Sequence, residues 1–287
     1  MHQEYKYLDI MKNILDNGKI HKNRTGVDTL RLLGETMKFD LREEFPLLTT
    51  KKVYWKGVVH ELLWFISGSS NIDYLVKNNV HIWDANAKDF YEKRMIEWGN
   101  NVECGLICDK PKEGDLGPVY GCQWRNFNNQ GFDQLSWAID QIKNNPESRR
   151  IIVSAWNPLE IKDMALPPCH SFFQFNVDGD TLNCTMYQRS CDFFLGIPFN
   201  IASYSLLTCM VAHVCGLKPG TFWHVMNDVH LYVNHIQAIK EQLSREPYSF
   251  PKIKLNPEIK NIDDFKFEDI KLVEYKSHPS IKAQMAV

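Results

Sequence analysis

The 287-residue chain has no excess of either charge, since 33 basic residues stand against 35 acidic ones. That balance argues against a general nucleic-acid or polyphosphate surface and leaves only local arginine clusters suited to small anions. No apolar signal core follows the start Met-His-Gln-Glu. The richest apolar stretch, Ile201 to Val214, carries polar residues and reads as too short to span a bilayer. The expectation is a cytoplasmic protein without a membrane partner. A disulfide framework is missing too: the eight cysteines lack framework spacing and predict thiols of a reducing compartment. Cys104 and Cys108 have no nearby His or Cys pair, and His230 and His235 fall on different helix faces, so no metal is expected. The chain has no internal repeat and no low-complexity run.

What is present is an ordinary globular composition, 44% hydrophobic and 24% charged, enough for one large domain or a domain with an appended lobe. Apolar positions at helical spacing predict a helix over 5–16, stopped by Asn17-Gly18. Thr29 to Phe39 reads as extended. Val58, Val59, Leu62, Leu63 and Ile66 form a helix face ending near Gly68, and the neighbours of Glu61 are apolar on most sides, which draws that carboxylate inward. From 86 to 115 the chain turns charged and reads as an irregular surface lobe. A helix over 132–142, a strand over 151–156 and a hairpin over 171–189 turning at Asp178-Gly179 follow. Asn200 precedes a periodic helix closed by Gly216, with Pro219 beyond. A strand from Val225, a helix over 233–243 and extended segments complete the chain.

Cys169 lies in Leu-Pro-Pro-Cys-His-Ser-Phe-Phe-Gln-Phe, behind two prolines and at the head of a strand-like run. Pro167 and Pro168 lack backbone donors and fix φ, so the approach to the thiol is stiff. Two readings stand, a presented nucleophile or a small buried hydrophobe beside Phe172 and Phe173. Arg24, the pair Arg149-Arg150, and Arg189 followed by Ser190 sit in loops or at strand ends. Guanidinium forks and a hydroxyl suit a phosphomonoester, yet Arg149 and Arg150 also read as solvating an exposed strand start. Asn200 is by position an N-cap, or an amide whose donor and acceptor match a uracil edge. His230 and Tyr232, two apart in an extended segment, share a side. They either reach a sugar hydroxyl or pack as aromatics with one satisfied polar tip.

Dispersed motifs in fixed order carry a resemblance over nearly the whole chain. They are Asn-Arg-Thr-Gly at 23–26, Phe-Pro-Leu-Leu-Thr-Thr-Lys-Lys at 45–52, Glu-Leu-Leu-Trp-Phe at 61–65 and Ile-Trp-Asp-Ala-Asn at 82–86. Gly-Pro-Val-Tyr-Gly-Cys-Gln-Trp-Arg at 117–125, Ser-Arg-Arg at 148–150, Leu-Pro-Pro-Cys-His at 166–170 and Tyr-Gln-Arg-Ser at 187–190 follow. Phe-Leu-Gly-Ile-Pro-Phe-Asn-Ile-Ala-Ser-Tyr at 194–204, Asp-Val-His-Leu-Tyr at 228–232 and the terminal Met-Ala-Val complete the set. The chain resembles the thymidylate synthases, folate-dependent enzymes that methylate deoxyuridine monophosphate (dUMP).

The resemblance implies an α/β fold of the α+β type, a large mixed β-sheet flanked by helices. It implies one domain over 1–287, with a small lobe at about 87–113, in a sheet-to-sheet homodimer. Cys169 is then the thiolate that adds to uracil C6, with Arg189 close by. Glu61 and ordered water move protons at O4 and at the folate nitrogen, and Tyr120 helps remove the C5 proton. Asn200 and Asp192 bind the base directly or through its surroundings, to which His170 and Gln188 belong. His230 and Tyr232 hold the 3′ oxygen. The phosphate falls to Arg24, Arg189 and Ser190, with Arg149 and Arg150 from the other subunit. The co-substrate 5,10-methylenetetrahydrofolate is implied at Ile82, Trp83, Asn86, Leu195, Gly196 and Phe199, with Asp192 at its pterin and Met285 and Ala286 closing the site. It leaves as dihydrofolate, and no metal is implied.

Two positions depart from the family pattern. Cys191 stands where Ser-Gly-Asp is usual and adds a side chain near the folate-facing turn, and Asn227 stands where Gly-Asp is usual. The 87–112 region is longer than in the animal enzymes; it is either a tolerated surface insertion, the favoured reading, or a modifier of folate-tail binding. Two rivals stay open. One is a dUMP hydroxymethylase on the same fold, in which water captures the intermediate; Trp83 and Asn200 speak against its cytidylate counterpart. The other is a non-catalytic RNA-binding protein, which near-neutral charge disfavours.

Overall fold

Tyr7, Ile10, Met11 and Ile14 recur at helical spacing and bury one stripe of α1 (Tyr5–Asn17). Gly18 follows because a Cβ there would stand 2.3 Å from the Ile14 carbonyl oxygen. The structure is a computed structural model that describes residues 2–23, 25–103 and 109–284. After α1 come β1 (Lys19–His21), β2 (Thr29–Asp40), α2 (Trp55–Ser67) and α3 (Asp73–Lys77). The middle of the chain supplies α4 (Asp84–Glu103), α5 (Gly121–Arg125), α6 (Gln134–Asn144) and β3 (Ile152–Ser154). Then follow β4 (His170–Asp178), β5 (Thr181–Asp192), α7 (Ile197–Val214), β6 (Lys218–Tyr232), α8 (Ile236–Leu243), β7 (Lys252–Leu255) and β8 (Ile270–Val273).

The first six strands form one sheet in the order β1-β2-β6-β5-β4-β3, and β7 pairs with β8 in a second, two-stranded sheet. The large sheet is mixed, as expected. β5 and β6 run parallel, and every other pair is antiparallel. A parallel pair needs a long crossover, and α7 supplies it. That helix is apolar on nearly every side and buries most of its residues, the pattern of a core helix. By length and composition α7 would reach across a membrane, but 78% of it is buried inside the fold. The buried apolar residues form one cluster running from Tyr7 to Ile270.

Several expectations require correction. Residues 86–103 are not irregular: α4 continues to Glu103, and Ala87 is its one buried residue. Its charges are spaced for a solvated helix, with Lys88 Nζ 3.9 Å from Glu92 Oε1 one turn on. Cys104 and Cys108 lie outside the described residues. α7 begins at Ile197 rather than after Asn200, because Pro198 belongs to its first turn, where a missing N–H costs nothing. Asn200 is therefore inside the helix and not its N-cap. β6 starts at Lys218, ahead of the expected Val225; Pro219 is tolerated near a strand start, and the Thr221 N–H donates to Asn183 Oδ1.

Along β5 and β6 buried and accessible side chains alternate, with Met186, Gln188, His224 and Met226 inward and Tyr187 and Val225 outward. The alternation then changes phase in both strands, so that Cys191, Val229 and Leu231 are the buried ones. Pairing keeps its register across the change. It passes from Gln188–Met226 to Ser190–Asp228 and from Glu35–Met226 to Leu33–Asp228, stepping over Arg189, Asn227 and Gly34. Gly34 holds φ 78°, a left-handed conformation that glycine adopts without strain. The result is a break in the pairing at one level through three strands. Below it Phe172, Tyr187 and Trp223 occupy the sheet face away from the core, with Phe172 stacked on Tyr187 at 5.4 Å. Above it the strand ends enter a cleft.

Candidate active site

The cleft measures about 490 Å³ and is lined by Cys169, Arg189, Ser190, Asp228, His230 and Tyr232, with Arg31, Thr29 and His21 from the β1–β2 side. Cys169 directly precedes β4, and its carbonyl accepts from the Arg189 N–H at 2.8 Å. The two prolines do more than stiffen the approach. Their carbonyls receive the Arg189 guanidinium, Nε to Pro168 at 2.9 Å and Nη2 to Pro167 at 2.7 Å, which holds Nη2 3.9 Å from Cys169 Sγ. A fixed cation beside a sulfur favours its thiolate. The guanidinium also lies over the Trp156 ring, 5.3 Å from its centre.

Tyr120 sits at the head of α5 with φ 24°, a region that a bulky side chain occupies only under constraint. Its hydroxyl accepts the Cys169 N–H at 2.8 Å, and its ring stacks on His170 at 4.1 Å. His170 is held in turn by Tyr204, with Nδ1 and Oη 2.7 Å apart, and burial lowers its imidazole to about 3, so it stays neutral. Glu61, drawn inward on α2 as expected, accepts from Trp83 Nε1 at 2.8 Å. Burial raises its carboxyl to about 7, against the lowering effect of the Trp83 bond. A carboxyl titrating near neutrality can both give and take a proton.

At the end of β5 the Asp192 carboxylate accepts the Phe194 and Leu195 N–H groups at 3.2 and 3.1 Å, fixing the turn into α7. Beside that turn Lys51 donates to the Phe194 carbonyl, and burial lowers its ammonium to about 7, with Asp192 opposing. Leu195, Gly196 and Phe199 are half-buried there, Ile82 is half-buried ahead of α4, and Trp83 is buried. Gln188 is fully enclosed and donates to Asn200 Oδ1 at 3.1 Å.

Other expected residues fall elsewhere. Arg149 and Arg150 are exposed ahead of β3 and do not line this cleft. Asn86 lines a neighbouring hollow of about 250 Å³ that shares Ala165 and Leu166 with it. Arg24, Met285 and Ala286 lie outside the described residues. Cys191 is 0% exposed, its Sγ 3.7 Å from the Gln188 carbonyl, and burial pushes its thiol well up. Its side chain faces the core and not the turn.

Sequence reasoning missed Arg31 and Asp228. Asp228 accepts from Arg31 Nη1 at 3.1 Å and pairs with His230 Nδ1 at 3.0 Å. Burial pushes the Asp228 carboxyl up, but His230 and Arg31 outweigh it and hold the group below its ordinary value. The signal was the i, i+2 spacing of Asp228 and His230 on one strand, which faces both into the same space.

A thiol beside a fixed guanidinium, with a protonable carboxyl titrating near neutrality, is an arrangement suited to nucleophilic chemistry. Comparison with known proteins gives the family. The thymidylate synthase family model matches residues 5–287, and the chain belongs to that family. It is 51% identical over 289 residues to a thymidylate synthase of Mycoplasma mobile, a match covering 98% of this chain and 99% of that protein. It is 52% identical over 297 residues to a bifunctional dihydrofolate reductase-thymidylate synthase of Arabidopsis thaliana, covering 100% of this chain and 51% of that protein. A putative bifunctional relative of Oryza sativa is also 52% identical, with 58% of its length covered. The chain thus spans little more than half the length of these plant relatives.

Proposed function

We propose that this protein converts dUMP to thymidylate by reductive methylation, with 5,10-methylenetetrahydrofolate as co-substrate. The observation that carries the reading is Arg189 held by two proline carbonyls against the Cys169 sulfur in a chain of this family. Cys169 Sγ bonds to uracil C6, the ring electron pair moves to O4, and the anion formed there takes a proton routed from Glu61. The ring carbon C5 thereby becomes a nucleophile. Asn200 reads the uracil edge and Tyr120 assists loss of the C5 proton. His230 and Tyr232 bind the 3′ oxygen, and Arg24, Arg189 and Ser190 take the phosphate.

The residues near Asp192 fit a folate. Ile82, Leu195 and Phe199 each present a half-buried apolar side chain suited to a ring, and Glu61 supplies a protonable group bonded to Trp83. The folate supplies the one-carbon unit and the hydride. Asn86, Met285 and Ala286 complete its binding.

The proposed working unit is a homodimer joined through the sheet, with Arg149 and Arg150 reaching the partner's phosphate. Phe172 and Trp223, 39% and 38% exposed on the uncovered sheet face, support it, as does the exposure of both arginines away from their own cleft. The proposed domain is the whole chain and the proposed compartment the cytoplasm. Incubation of the purified protein with dUMP and methylenetetrahydrofolate tests the activity. A rise in dihydrofolate absorbance together with thymidylate is the expected result, whereas a hydroxymethylated nucleotide without dihydrofolate overturns it.

A further inference from the structure

His224 on β6 is fully buried, and the chemistry above leaves it without a task. Its Nε2 lies 2.9 Å from Gln188 Oε1, while Nδ1 has no partner among the described residues. Gln188 Nε2 donates to the Ser190 carbonyl at 3.0 Å and to Asn200 Oδ1 at 3.1 Å. Three side chains on β6, β5 and α7 thus form one line, buried at His224 and Gln188 and half-buried at Asn200, that ends at the amide proposed to read the base.

The polarity of that line is settled by elementary rules. A backbone carbonyl only accepts, so the Gln188 amide turns its NH2 to Ser190 and its oxygen to His224. An oxygen facing Nε2 requires the proton on Nε2. The alternative tautomer would bury an N–H at Nδ1 with no acceptor, which is worse than burying a lone pair there. Burial lowers the His224 imidazole to about 3, so the ring stays neutral with a single N–H to place. Asn200 Oδ1 is then committed as an acceptor, and its NH2 is the group left to donate.

We infer that His224 is a specificity-determining positioning residue: through Gln188 it locks the polarity of the Asn200 amide and so selects uracil over cytosine. The inference rests on the proposed reading of the cleft as a pyrimidine nucleotide site. Uracil offers an N–H at N3 and an acceptor at O4, which match the locked amide. Cytosine reverses both, and only a flipped Asn200 accepts it. The flip sets the Asn200 NH2 against the Gln188 NH2, and His224 keeps Gln188 from turning to relieve the clash.

Calorimetric titration of the full-length protein with dUMP and with dCMP tests this, comparing wild type, His224→Phe, which fills the site without a donor, and His224→Gln, which keeps one. The ratio of dCMP to dUMP dissociation constants is expected to fall about tenfold in H224F, the scale of one hydrogen bond. H224Q is expected to retain most of the preference. A folded H224F with an unchanged ratio, or with both nucleotides weakened equally, overturns the inference and leaves the proposed function standing. A wild type that binds neither nucleotide overturns both. Should H224F fail to fold, nitrogen NMR of the wild-type imidazole decides: a proton on Nε2 is expected, and a proton on Nδ1 defeats the inference.

Discussion

Glu61 is held in an environment that suits its chemistry and opposes its charge. Burial lifts its carboxyl from 4.5 to about 7, so between those values the folded chain holds a proton that the unfolded chain has released. Stability attached to this group is therefore complete below the unfolded value and is lost as pH rises through the folded one. The difference is worth about 3 kcal/mol. Glu61→Gln is expected to raise the melting temperature relative to wild type at pH 8 but not at pH 4, while turnover collapses; thermal denaturation at both pH values checks the sign. Cys169→Ser is expected to lower turnover by at least roughly a thousandfold and to abolish any nucleotide adduct seen by mass spectrometry. The inward carboxylate was legible because a charge among apolar neighbours breaks a local pattern, and the thiol only through the dispersed motifs around it. Arg31 was not, since an arginine on a strand looks the same whether it meets water or, as here, Asp228.

At the scale of elements, α5 approaches α2 closely beside the site. A Cβ on Gly121 would stand 2.3 Å from the Phe65 carbonyl oxygen and 2.7 Å from its Cα, contacts with backbone that no rotamer change relieves. Gly121→Ala is expected to destabilise the protein by roughly 2–4 kcal/mol and to weaken activity through the adjacent Tyr120; a denaturant titration with parallel kinetics measures both. Helices with one apolar stripe, such as α1, could be read from periodicity. α4 could not, because a helix that buries one alanine leaves no stripe, and its ordering rests on backbone bonds and charge spacing. The start of α7 was misjudged because Asn200 reads as an N-cap, although Pro198 already suits the first turn.

For the whole molecule, the proposed site built from two chains makes a quantitative demand. Cys169→Ser and the double variant Arg149→Ala, Arg150→Ala are each expected to be inactive alone. Mixed, dissociated and reassociated, they should recover about a quarter of wild-type activity, because half of random dimers are mixed and each has one intact site. No recovery in chains shown to exchange would mean that the arginines act elsewhere. The large sheet was legible only in pieces, since strand order depends on pairings such as β2 with β6 that lie far apart in sequence.

The break in pairing at Arg189 and Asn227 gives β5 and β6 two reading frames. Before it, one parity of residues points to the core and the other to the outer face; after it, the parities exchange roles. Substitutions on the outer sheet face and substitutions in the cleft therefore fall on opposite parities of the same strand, and each set can vary without rewriting the other. A single-residue deletion at the junction acts as a frameshift written in space: it leaves the composition of the strand almost intact and turns every downstream side chain to the wrong side.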